Sequence, residues 1–240
     1  MLVVAGLSTQ SMGDILGTAQ NFAVLGGSAV TNTGSTIITG DLGVWPGDAI
    51  TGFPPGVVNG SVFAGDAVAQ QAQNDLTTAY NLLANMAFTQ DLTGQDLGGM
   101  VLTPGVYFFS SSAQLTSVLT LDSLGDPNAM FVFQMGSTLT TASDSSVLTL
   151  NGANGCNIFW QVGSSATLGT DTAFIGNILA LTSITLNTDA TILDGRALAR
   201  NGAVTLDSNI ITANWIPAPG ALVMLGSACV GVFATRRRRA

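Results

Sequence analysis

The chain has 240 residues, enough for one sizeable core and a tail, and its charges are few: 14 acids, all Asp, and six bases, all Arg. Four of those bases are the terminal Arg236, Arg237, Arg238 and Arg239, so the body is strongly acidic, which excludes a nucleic-acid partner needing Lys and Arg against phosphate. With no His, Lys or Glu, acid–base chemistry would fall to Asp pairs alone, and no phosphate loop, nucleophile motif or metal cluster is present, so no enzyme, metal or cofactor is predicted.

Residues 1–6 (MLVVAG) are apolar, but they lack a basic start and are short for the apolar part of a secretory signal. Residues 1–17 are therefore read as a remnant, with a signal expected upstream. Residues 21–44 (NFAVLGGSAVTNTGSTIITGDLGV) alternate apolar and small polar residues and predict the first β-coils. Residues 45–56 hold Pro46, Pro54 and Pro55 and read as a loop, and residues 57–63 as a further short strand.

Residues 66–88 (DAVAQQAQNDLTTAYNLLANMAF) contain no Gly or Pro. Asp66 suits an N-cap, and Ala69, Ala72, Leu76, Ala79, Tyr80, Leu83 and Ala87 fall on one stripe at helical spacing. This predicts one amphipathic helix of about six turns, lying along the β-structure and covering one apolar face.

Strand character returns at residues 102–109 (LTPGVYFF), after a turn at Thr103-Pro104-Gly105. Residues 129–134 (AMFVFQ) and 157–161 (NIFWQ) carry bulky side chains, and Phe131, Phe133, Ile158 and Trp160 are expected to fill the core where the helix packs. Loops are expected at residues 123–129 (SLGDPNA) and 151–157 (NGANGCN), where Gly, Pro, Asn and Asp crowd together.

Between residues 114 and 212 a short pattern repeats. Thr167-Leu168-Gly169-Thr170, Thr185-Leu186-Asn187-Thr188 and Thr205-Leu206-Asp207-Ser208 follow one another at spacings of 18 and 20. Thr138-Leu139-Thr140-Thr141 and, less closely, Gln114-Leu115-Thr116 extend the pattern backwards, for five coils. A period this short has no room for a helix and implies a solenoid of strands and corners. Alternation sends Leu139, Leu168, Leu186 and Leu206 inward as one ladder, and Thr138, Thr167, Thr185 and Thr205 outward. With coils ~4.8 Å apart and alternate residues ~6.7 Å apart along a strand, the outward residues would form a grid of methyls and hydroxyls.

Cys156 reads as a small buried residue at a corner, and Cys229, in an apolar tail, is not its expected partner. Asp194, Arg196 and Arg200 read as a solvated group at a corner. After Thr212 the repeat stops, and residues 215–235 (WIPAPGALVMLGSACVGVFAT) form an apolar run near the ~20 residues of a membrane span. A C-terminal hydrophobic helix is predicted there, with the following Arg cluster on the cytoplasmic side.

The segments NFAVLGGSAVTNTGSTIITGDLGVWPG, DAVAQQAQNDLTTAYN, LTPGVYFFSSSAQLT, GDPNAMFVFQMGSTLTTAS, WQVGSSATLGT and GNILALTSITLNTDATILDGRALARNGAVTLD together resemble the microbial ice-binding protein family over about residues 18–212. The resemblance implies a mostly β fold: a right-handed, triangular parallel β-helix with one long α-helix packed alongside, secreted and non-catalytic. Its implied partner is an ice crystal surface, met by one flat exposed face. Some members carry Thr-(Ala/Gly)-x-(Thr/Asn) on that face. The corresponding stretches here depart from it: Thr141-Ala142-Ser143-Asp144 ends in Asp, Thr170-Asp171-Thr172-Ala173 and Thr188-Asp189-Ala190-Thr191 have Asp in place of Ala or Gly, and Ser208-Asn209-Ile210-Ile211 has lost the last Thr. The implied ice-binding residues are Thr116, Thr141, Ser143, Thr170, Thr172, Thr188, Thr191 and Ser208. The row Thr138, Thr167, Thr185, Thr205 is the fallback, since a register error of one corner exchanges the two. Asp171 and Asp189 would place hydrated carboxylates on or beside the face.

The tail resembles the PEP-CTERM sorting signal, with Pro217, Pro219 and Gly220, then an apolar helix, then Arg236, Arg237, Arg238 and Arg239. It lacks the acidic residue of that motif. The resemblance implies an exosortase-type processing enzyme as a partner, transient anchoring in the inner membrane over residues 213–240, and display at or release from the cell surface. The alternative function is a cell-surface adhesin or matrix protein that uses the solenoid as a binding or spacer module.

Overall fold

The computed structural model describes residues 15–213. The expected N-terminal remnant, the C-terminal hydrophobic helix and the sorting signal lie outside the described residues, the remnant but for its last three. Among those described, no helix is long and apolar enough to cross a membrane.

The strands pair in parallel throughout, in a 15-stranded sheet and a 7-stranded sheet. Each coil lays down three strand directions, so the solenoid has three faces. In one coil these are Ile184–Leu186, then the two halves of Thr191–Ala199 on either side of a bend. The bend coincides with a register shift after Ile175 and is built on stacked glycines. Gly176 has φ +104, and a Cβ on Gly195 would lie 2.0 Å from the Gly176 carbonyl oxygen, so only Gly allows the coils to stack there.

The coils do not stack in chain order. The N-terminal coils sit on the last coil: Val24 pairs with Ala197, Thr31 with Thr205 and Ile37 with Ile210. The helix Ala67–Ala84 then carries the chain back along the stack to Gln90–Asp91 and Val101–Leu102, which begin the far end. The lengths match. A helix of 18 residues spans ~27 Å, and six steps between the seven strands span ~29 Å.

The helix forms as expected at its start, where the Ala69 N–H donates to the Asp66 carboxylate at 2.9 Å. Ala69, Ala72, Leu76, Ala79, Tyr80 and Leu83 are buried. Gln73 joins them, donating to the carbonyls of Gly26 and Ala199. The helix is shorter than expected. It ends at Ala84, and Ala87 is exposed beyond it.

Phe131, Phe133, Ile158 and Trp160 do not meet the helix. They point into the solenoid, where the Phe133 and Trp160 rings stack at 4.0 Å between centroids and Phe174 adds to the stack at 4.8 Å. The helix packs instead on the intervening residues Val132 and Phe159, with Val106, Leu179 and Leu198. Alternation requires this, since neighbours on a strand face opposite sides.

The leucine ladder is buried but shifted by one inward position. Leu168 pairs with Leu186, whereas Leu139 pairs with Ala166 and Thr140 with Thr167. A slip of two residues preserves the in–out pattern, so alternation cannot detect it. Arg196 is not solvated. It is buried and donates to the Gln20 carbonyl and the Asn177 side chain, each at 2.8 Å. Burial lowers its pKa, against the opposing influence of Cys156. Arg200 lies 4.7 Å over the Tyr80 ring. Cys156 is half-buried at its corner, not fully buried.

Candidate functional site

Of the three faces, one lies under the helix and two are open. The first open face is the 7-stranded sheet. Its inward positions are Ala113, Leu139, Ala166, Ile184, Val204, Val30 and Ile50. One residue further on, every strand turns a side chain outward, and these form a single register row: Gln114, Thr140, Thr167, Thr185, Thr205, Thr31 and Thr51. Six consecutive coils thus present Thr at the same point.

The row before it is small: Ser112, Thr138, Ser165, Ser183, Ala203, Ala29 and Ala49. Neither row holds a charge. Thr is well suited to the central row because its β-branch favours strand and leaves few χ1 rotamers, fixing hydroxyl and methyl alike. Neighbours along the stack touch: Thr31 Oγ1 donates to Thr205 Oγ1 at 3.5 Å, and Thr138 Oγ1 to Ser112 Oγ at 2.8 Å. Asp96 closes one end of the central row by bridging to Gln114. Burial raises the pKa of its carboxyl, but hydrogen bonds from Thr116 and Gly98 outweigh that and hold it below the usual value.

The second open face is less uniform. Its outward rows mix Val118, Leu148, Leu193, Ile210, Ile37 and Val57, all exposed, with Ser146, Ala173, Thr191, Thr212 and Thr39. Large aliphatic tips beside short hydroxyls make an uneven surface.

The residues implied by the family motif are divided by the structure. Thr141 and Thr172 are buried, and their hydroxyls lie 2.8 Å apart inside the corner, so neither can touch a crystal. Ser143, Thr170 and Thr188 lie along the edge of the first open face, each just before a left-handed residue: Asp144, Asp171 and Asp189. Thr116 is on that edge too, bonded to Asp96. Ser208 is itself left-handed, with φ +55, at the corner. Thr191 belongs to the second face, paired with Ala173 and Ile210. Asp171 and Asp189 are there for the turn, since Asp tolerates positive φ better than most residues.

Of the fallback row, Thr167, Thr185 and Thr205 lie in the central row, and Thr138 lies in the row beside it. Thr140, Thr31 and Thr51 were missed. A signal for two of them exists: Ala29-Val30-Thr31 and Ala49-Ile50-Thr51 echo Ala203-Val204-Thr205. Among the described residues no cluster of three His, Cys, Asp or Glu could hold a metal.

Comparison with known proteins shows what the chain is similar to. The family described as Ice-binding-like matches residues 24–212. An ice-binding protein of Nostoc sp. (strain HG1) is 60% identical over 235 residues, covering 93% of this chain and 87% of that one. The solved structure of an ice-binding protein from an Antarctic biological consortium has a TM-score of 0.80 at 53% identity, covering 82% of this chain and 90% of that one. That of the Antarctic ascomycete Antarctomyces psychrotrophicus has a TM-score of 0.81 at 43% identity, over 84% and 98%.

Proposed function

The chain belongs to the ice-binding-like family, and from that premise we propose that it binds ice, without catalysis, through the 7-stranded open face. The observation that carries this reading is the unbroken central row from Thr140 to Thr51. Its hydroxyls repeat every ~4.8 Å along the stack, and residues along each strand every ~6.7 Å. A rigid grid of this kind can hold a layer of ordered water in fixed positions. Methyls between the hydroxyls keep that layer from being reorganised around single strong acceptors. A carboxylate would do the reverse, because it keeps its own hydration shell, and apart from Asp207, at the edge of the face two residues past Thr205, the charges lie at the corner and the end of the row.

The same reading places the protein outside the cell, where ice forms. The apolar run from Trp215 and the Arg cluster after it support delivery by exosortase-type sorting, with a transient stay in the inner membrane. Ice-affinity partitioning of the purified chain tests the binding itself. Enrichment in the ice fraction is expected. Exclusion from ice together with binding on a sugar array would replace this reading with that of an adhesin.

A further inference from the structure

Where the proposed ice face turns into the second open face, the inward corner positions are Ser145, Thr172, Ala190, Asn209 and Thr36, one per coil. Four of the five are polar, and all of these are buried, at 0–1% exposure. A buried hydroxyl or amide is costly unless it is hydrogen-bonded. These are bonded, and their partners include backbone groups at the edge of the open face.

Gly169 N–H donates to Thr141 Oγ1 at 2.8 Å, Thr141 and Thr172 share a hydrogen bond at 2.8 Å, and Thr172 Oγ1 donates to the Ala142 carbonyl at 3.1 Å. Ser145 Oγ donates to the same carbonyl at 2.7 Å. Asn209 Nδ2 donates to the carbonyls of Asn187 and Ala190, each at 2.9 Å, while its Oδ1 accepts from Asp207 N–H at 2.7 Å. The backbone N–H of Asn209 donates to Thr36 Oγ1 at 3.0 Å. Ala142, Gly169, Asn187 and Asp207 end the open face in four successive coils, and each is held from inside. The coil of Asp207 has one residue fewer between its inward Leu206 and its left-handed Ser208 than the coil of Asn187 has between Leu186 and Asp189. The longest side chain of the set, Asn209, stands where that shorter turn must be matched to its neighbour.

We propose that this buried polar spine is a positioning device for ice binding. It fixes the edge of the face coil by coil, so that outward rows on turns of unequal length stay in one plane. Strands twist by default, and a face held only by aliphatic contacts has little to oppose that. The proposal rests on the reading of this face as the ice site. Thr141 and Thr172 then act through the backbone they hold, not by touching ice.

The test compares Thr172→Val, which keeps shape but breaks the hydroxyl chain, with Ile192→Val, a buried change away from the face, both at temperatures where circular dichroism is native. Thermal hysteresis should be largely lost in Thr172→Val, kept in Ile192→Val and recovered in Thr172→Ser. If Thr172→Val does not fold, Ser145→Ala is read against the same control. Equal thermal hysteresis in the spine variant and in Ile192→Val, with Thr185→Tyr inactive, overturns the positioning role and leaves the face intact. Full activity in Thr185→Tyr overturns both.

Discussion

Thr31 and Thr205 are 174 positions apart in the chain, yet their hydroxyl oxygens lie 3.5 Å apart in one row of the open face. That contact joins the first coil to the last and makes the threonine row continuous. It also gives the row a centre, since Thr185 and Thr205 have threonine neighbours on both sides.

A tyrosine ring at such a position should hold the whole face away from a flat crystal. Thr185→Tyr is expected to abolish thermal hysteresis with the circular dichroism spectrum unchanged, while Thr191→Tyr, on the adjacent face, should retain activity. The reverse result would move the ice site to the second face.

Leu186 is buried and paired with Leu168 beneath the threonine row. Leu186→Ala should cost ~2–5 kcal/mol, a large-to-small change in a packed core. Denaturant unfolding measures it. A loss no larger than the ~0.5 kcal/mol typical of a surface change would place Leu186 outside the core.

The corner carboxylates have a backbone role. Asp171 and Asp189 have φ +57 and +60. Asp171→Val should cost ~1–2 kcal/mol, because a β-branched residue is strained at positive φ. Asp171→Gly combined with Asp189→Gly should be tolerated, and by removing two hydrated charges from the edge of the face it should raise thermal hysteresis. A fall in activity with the fold intact would show that the carboxylates themselves contribute.

Acid should be the destabilising direction. For both Asp75 and Asp96, burial raises the pKa but hydrogen bonds outweigh it. These come from Thr18 and Gln71 for Asp75, and from Thr116 and Gly98 for Asp96, and they hold both groups below 3.8. A carboxyl with a lowered folded pKa adds stability that is fully present above its unfolded value and is lost as pH falls through the folded one. With no His, Lys or Glu in the chain, the melting temperature should be level from neutral pH down to about pH 5 and fall below 3.8. Asp96→Asn should make that fall shallower, and an unchanged acid profile would remove Asp96 from the account.

Much of this protein is determined by local signals. The helix has an N-cap at Asp66 and a 3.6-residue stripe, and both act within a few residues, so its existence, start and buried face follow from the sequence. Alternation around Ile184, Thr185 and Leu186 likewise decides which side chains go inward, because neighbours on a strand must oppose. What alternation cannot decide is which coil lies against which, or by how many pairs of residues it is displaced. A slip of two leaves every side chain on its own side, so Leu139 could be matched to Leu168 and Thr138 to Thr167 when the structure pairs Leu139 with Ala166 and Thr140 with Thr167. The family motif, not alternation, places Thr141 and Thr172 on the surface; alternation puts Thr141 on the side of Leu139, and the two hydroxyls are bonded to each other inside the corner. Only the closed solenoid resolves this. Its helix returns the chain to the far end, its first coils fall on its last, and Thr31 and Thr51 extend a row that the order of the chain does not contain.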